Sequence, residues 1–299
     1  MRIDVHQHLW PSGFIEAMRR RQAPPRLVGW TLELHGEPPY EVCPADHDVR
    51  NRSAVAQQDG VDLALVSLSS PLGIEWLPPE EAAPLLEAYH QGSLALPSTF
   101  GTWASTCLTE IDPGALLNAL DRGCVGLQLP ATALLDANGY ERCRPLLEVL
   151  ERADRPLLVH PGQAGGASSG PSWWAALVPY VQQMHQAWFA FRTYGRPCHP
   201  RLRVCFAILA GLAPLHGERC ATRGGGRGVV DAGAFVETSS YGPRAIDATV
   251  RVLGIDVIVH GSDRPYAPPP AAMPGEAAAH ALLTANPIRL LHGERGGAR

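Results

Sequence analysis

Short apolar runs recur along the chain and alternate with longer stretches whose apolar residues return every three to four positions. Eight of the runs have strand length and are rich in Val, Ile, Leu and Phe, at 3–6, 63–68, 94–100, 125–129, 157–160, 204–208, 234–238 and 256–260. Helical periodicity follows most of them, over 80–90, 113–122, 140–153 and, after the seventh, 243–253. Strands that alternate with helices read as β/α units with parallel pairing. Eight such units predict an α/β fold of the (β/α)8 or TIM-barrel type rather than an open sheet. No linker interrupts the series, so residues 1–299 read as a single domain.

Two gaps exceed what a barrel connection needs, and they predict loop insertions after strands one and five. Residues 10–60 contain Pro24, Pro25, Pro38 and Pro39, which predicts mostly irregular chain apart from a helix near 11–21. Residues 162–200 begin with Gly and Ser over 165–170 and continue into an aromatic helical stretch at 173–194. That stretch is placed to cover the mouth of a barrel. Arg19, Arg20 and Arg21 read as a solvated helix face, and Pro268, Pro269 and Pro270 as a rigid spacer before the last helix. Arg223 to Gly228 follows a helix rather than a strand, so it reads as a flexible connection and not a phosphate loop.

Composition narrows the function classes. Hydrophobic residues make up 45% and charged residues 18%, enough apolar material for a sizeable core and too little charge for disorder. With 25 basic against 29 acidic side chains the net charge is −4, which lacks the basic footprint of a nucleic-acid partner and leaves a small-molecule substrate. All 25 basic residues are arginine. A Schiff-base lysine, a Walker A lysine and a carbamylated lysine bridging two metals are therefore excluded. The seven cysteines are scattered without a CxxC pair, which fits reduced thiols. With no basic and apolar leader after Met1 and no run of membrane-spanning length, the expectation is a cytoplasmic protein with no membrane partner. A homodimer is left open.

Asp4-Val5-His6-Gln7-His8 ends the first strand, and alternation puts His6 and His8 on one side, where two imidazoles can share a cation. Histidines at strand ends are also commonly just hydrogen-bonded. Barrel active sites, however, lie at the carboxyl ends of the strands. Two further strand ends supply candidates: His160 closes strand five in Leu157-Leu158-Val159-His160-Pro161, and Asp263 follows strand eight in Gly261-Ser262-Asp263-Arg264-Pro265. Alone, His160 could cap a loop and Asp263 a turn. Together, His6, His8, His160 and Asp263 suit one divalent ion, zinc by donor type, with manganese, iron and cobalt open. Around them Glu237 is a candidate to orient a ligand histidine, and Trp10, Tyr241 and His216 are candidates to touch substrate. Trp103, Trp173 and Trp174 either line a pocket or pack loops.

The chain resembles the amidohydrolase superfamily, in particular the amidohydrolase-related group similar to aminocarboxymuconate-semialdehyde decarboxylase. The resemblance spans nearly the whole chain and is carried by Asp4 to His8, by Leu158 to Pro161, by Gly261 to Tyr266, and by the closing Asn286-Pro287-Ile288-Arg289-Leu290-Leu291. It implies a mononuclear site with His6, His8, His160 and Asp263 as ligands, in hydrolases or non-oxidative decarboxylases. One position departs from it. Where that group carries a histidine after strand six, serving as general acid/base, this chain has Ile208. His216 lies eight residues on, about 12 Å away along a helix.

An apolar side chain cannot transfer a proton, so the expected chemistry is hydrolysis of a lactone, amide or cyclic imide, with Asp263 as acid and base for a metal-activated water. Decarboxylation of an aromatic or unsaturated acid is the alternative. A non-catalytic metal-bound barrel is the third.

Overall fold

The computed structural model describes residues 1–165, 171–226, 230–267 and 275–293. The Pro268 to Pro270 spacer, most of the Gly/Ser stretch at 165–170 and the end of the Arg223 to Gly228 connection lie outside them. Eight parallel strands form two sheets. In the first, β1 (Ile3–Gln7), β2 (Leu63–Val66) and β3 (Phe100–Thr102) pair in order; in the second, β4 (Leu127–Pro130), β5 (Leu157–His160), β6 (Val204–Phe206), β7 (Ala234–Glu237) and β8 (Ile258–Val259) do the same. Each strand is two to five residues long and buried, as strands covered on both faces must be.

The two sheets meet at both edges. Between β3 and β4, Val125 N–H donates to Thr102 O at 2.9 Å and Ala104 N–H to Gly126 O at 2.8 Å. Between β8 and β1, Val5 N–H donates to His260 O at 2.9 Å and Asp263 N–H to His6 O at 2.9 Å. Side chains from six strands meet in one inner cluster with Trp103, among them Val5, Leu65, Leu158, Cys205, Phe235 and Val259. Trp103 Nε1 donates to Val5 O at 2.9 Å there. Alternate residues such as Leu157, Val159, Val204 and Val236 point the other way, into the core beneath the helices. This parity of two carries His160 and Glu237 to the same side as Leu158 and Phe235, one step nearer the carboxyl ends.

Two expectations need correction. The segment between β1 and β2 is not mostly irregular. After the helix Ser12–Arg20 it forms an antiparallel sheet of Arg26–Val28, Thr31–Glu33 and Tyr40–Glu41, then the helix Val49–Gln58. Leu27 and Leu32 are its buried apolar pair, facing each other across the turn at Gly29, whose φ is 63°. Strand three begins later than expected because Leu94 ends the helix Pro79–Leu94. After β5, the aromatic stretch forms helices Trp174–Leu177 and Pro179–Ala190, broken at Val178 before Pro179. No described helix is long and apolar enough to cross a membrane.

Candidate metal centre

His6, His8, His160 and Asp263 converge at the carboxyl ends of β1, β5 and β8, with one ligand atom of each within 4.8 Å of the others. Each imidazole is held from behind through Nδ1. That of His6 lies 3.2 Å from Glu237 Oε1, that of His8 3.0 Å from Ser67 O, and that of His160 2.8 Å from Pro161 O. A carbonyl can only accept, so the Nδ1 atoms of His8 and His160 carry the proton and their Nε2 atoms are bare. All three rings turn inward, perpendicular to one another at centroid separations of 4.8 to 5.1 Å.

The inward atoms are close enough to repel. His6 Nε2 is 3.1 Å from His8 Nε2, and Asp263 Oδ1 is 3.1 Å from His8 Nε2 and 3.6 Å from His6 Nε2. Buried lone pairs and a carboxylate aimed at one point need a positive centre between them. Burial disfavours the charge on His6, but its bond to Glu237 outweighs this and raises the imidazole to about 9. Burial and the neighbouring histidines hold His160 well below its ordinary value, and burial lowers His8. Asp263 stays below the usual carboxylate range despite burial, because the imidazoles of His8, His6 and His160 around it favour its charge. The three nitrogens and one oxygen fit a single divalent ion in donor type and number.

Supporting residues explain the precision. Glu237 also accepts from Ile208 N–H, Ser239 N–H and Ser239 Oγ, each at 2.6 Å, so its carboxylate is fully engaged in orienting His6. Gly261 makes room for it: a Cβ there would meet Glu237 Oε2 at 2.1 Å. Two residues that sequence reasoning missed brace the strand ends. Buried Asp4 accepts from His6 N–H and Ser262 N–H, both at 3.1 Å, and ties β1 to the segment after β8. Arg52, also buried, donates to His8 O at 2.6 Å and to the Gln7 side chain at 2.5 Å. Asp4 lies in the quoted motif and could have been singled out by its parity. Arg52 gave no signal.

The cluster forms part of the wall of a cavity of about 490 Å³ whose lining is largely apolar, including Leu34, Leu72, Trp174 and Val181. Ile208 and Tyr241 line it too. Trp10 and His216 do not. Trp10 is buried and stacked on His47 at 4.4 Å, while His216 sits against His185 at 5.0 Å. No α-helix joins Ile208 to His216; residues from Ile208 to Leu212 are left-handed, with φ of 47° to 61°. Trp103 packs in the inner core, and Trp173 is exposed beside Trp174. Glu37, Tyr40 and Tyr180 also line the cavity; the sequence marks their segments as insertions, that of Tyr180 as one placed over the mouth, but not these individual residues.

No sequence-family model matches the chain, and no curated protein matches it in sequence. Solved structures do match in fold. IDCase from Metarhizium anisopliae in apo form is 17% identical, with 99% of this chain and 98% of that one covered and a TM-score of 0.79. A variant of 5-carboxyvanillate decarboxylase from Novosphingobium aromaticivorans, with bound manganese and 3-methoxy-4-hydroxy-5-nitrobenzoic acid, is 18% identical, with 97% of each chain covered and a TM-score of 0.77. An amidohydrolase II protein is 18% identical over 97% of this chain and 99% of that one, with a TM-score of 0.69. The chain thus shares its fold with these proteins, one of them named an amidohydrolase II, and the resemblance read from the sequence is borne out at the level of the fold.

The hydrolase expectation is corrected by the same comparison. The fold is shared with a protein named as a decarboxylase of an aromatic acid. The physical reason lies at Ile208. Its apolar side chain was read as the loss of the proton donor to carbon, yet Asp263 opens to the same cavity with its side chain 18% exposed. A missing imidazole therefore does not count against protonation at carbon.

Proposed function

We propose that the chain is a metal-dependent, non-oxidative decarboxylase of an aromatic or unsaturated carboxylic acid, built on one closed (β/α)8 barrel with insertions after β1 and β5. The edge-to-edge bonds between the two sheets and the shared inner cluster support closure and a single domain. One observation carries the functional reading: three imidazoles and a carboxylate converge on the wall of a largely apolar cavity. His6, His8, His160 and Asp263 would hold one divalent ion, manganese as in the neighbour or zinc by donor type, and when bound it would draw the substrate's carboxylate to itself and polarise it.

This chain's own residues supply the rest. Leu34, Leu72, Trp174 and Ile208 take the ring and keep water from it, and Glu237 fixes the His6 ring. Asp263 is placed to carry a proton at its cavity-facing carboxylate. Decarboxylation breaks the bond between the ring carbon and the carboxyl carbon, and carbon dioxide leaves. The electron pair stays with the ring carbon and is capped by that proton, which solvent replaces on Asp263.

The experiment is turnover in heavy water by manganese-loaded protein with a panel of hydroxylated and methoxylated benzoic acids. Carbon dioxide release with one deuterium at the vacated ring carbon is expected. Incorporation of 18O from labelled water into a product carboxylate, or no carbon dioxide from any member, would overturn the reading.

A further inference from the structure

Beyond the donor cluster, the cavity wall contains one more ionisable carboxyl. Glu37 comes from the segment between β1 and β2 and is half-buried; its Oε1 accepts a 2.7 Å hydrogen bond from the Tyr180 hydroxyl, on the helix Pro179–Ala190. Glu37 bonds to none of the four cluster residues. Tyr40 and Tyr266 put two phenols on the same cavity wall. Among the described residues no arginine lines this cavity, and the chain contains no lysine.

The charge balance of such a cavity constrains its occupant. A ligand carboxylate at the cluster finds its counter-charge in the ion held there. A second carboxylate elsewhere on the ring would leave water for an apolar wall with no cation, and would face the Glu37 carboxyl. A hydroxyl in the same place is neutral and can donate to the Glu37 carboxyl, which Tyr180 holds in position. Burial already pushes the Glu37 carboxyl up, against the bond from Tyr180, so the site resists holding further negative charge.

We propose that Glu37, positioned by Tyr180, is a specificity-determining residue that admits a hydrogen-bond-donating ring substituent and rejects a second carboxylate, so that the substrate is an aromatic monocarboxylic acid bearing a hydroxyl group. This rests on the decarboxylase reading only in seating the first carboxylate at the cluster.

The test is binding by calorimetry to manganese-loaded protein near pH 8. It uses two matched pairs, 3-hydroxybenzoate against isophthalate and 4-hydroxybenzoate against terephthalate. In at least one pair the hydroxy acid binds about tenfold tighter than its dicarboxylate, the scale of one uncompensated charge contact at a half-buried site. Glu37→Gln, which keeps an acceptor for Tyr180, closes most of that gap by tightening the dicarboxylate. Tyr180→Phe weakens the hydroxy acid selectively. Equal binding within both pairs, or a ratio unmoved by Glu37→Gln, overturns the proposal while leaving the aromatic-acid site standing. Failure of all four acids to bind removes the reading of the site itself.

Discussion

Glu75 is buried beside the polar cluster of Ser70 and Gln128, with the Ser70 hydroxyl donating to its Oε1 at 2.5 Å, and burial pushes its carboxyl up to about 7. A folded-state value above the unfolded one has a definite sign. Below about pH 4.5 both states hold the proton and the contribution is whole; as pH rises towards 7 only the unfolded chain releases it, and stability falls. Glu75→Gln is therefore expected to stabilise the protein at pH 8 by about 2 kcal/mol and to flatten the decline between pH 5 and 8. Urea unfolding at the two ends of that range checks this. An unchanged slope would mean that another group sets it.

The element scale shows a segment under strain where the barrel meets the helix over the cavity. Five successive residues from Ile208 to Leu212 are left-handed, and within them Gly211, at φ 60°, has no room for a side chain. A Cβ there would lie 2.5 Å from Val181 O and 3.2 Å from His185 N, both backbone atoms of the helix Pro179–Ala190. Gly211→Ala is expected to cost about 2–4 kcal/mol from strain and overpacking together, read as a lower thermal midpoint. A shift below about 1 °C would mean that the helix moves aside freely.

Elements also explain what was legible in the sequence. His6, His8, His160 and Asp263 could be read because each lies at the carboxyl end of a strand marked by a dense apolar run. Strand three was misplaced because the apolar residues 94–96 close a helix, while β3 itself holds only Phe100, Gly101 and Thr102. The sheet of Arg26–Val28 and its neighbours escaped because three-residue strands are too short to show a period. Glu37 and Tyr180, 143 residues apart, meet only through tertiary packing.

For the whole molecule, two parallel sheets linked by hydrogen bonds at both edges should unfold as one unit. A single cooperative transition is expected, its midpoint rising with free manganese as a ligand bound only by the folded state requires. Elemental analysis should give one divalent ion per chain, lost in His6→Ala and Asp263→Ala and retained in His216→Ala. Two separate transitions would contradict the proposed single domain, and a midpoint indifferent to the ion would contradict the proposed site. The donors come from opposite ends of the chain, and this orders events in time. His6 and His8 leave the ribosome first, while Asp263 follows 255 residues later. At roughly 5–20 residues per second that interval is about 13–50 s. Throughout it the nascent chain presents a histidine pair without its carboxylate, so the proposed donor set becomes complete only once the eighth strand and Asp263 have been made.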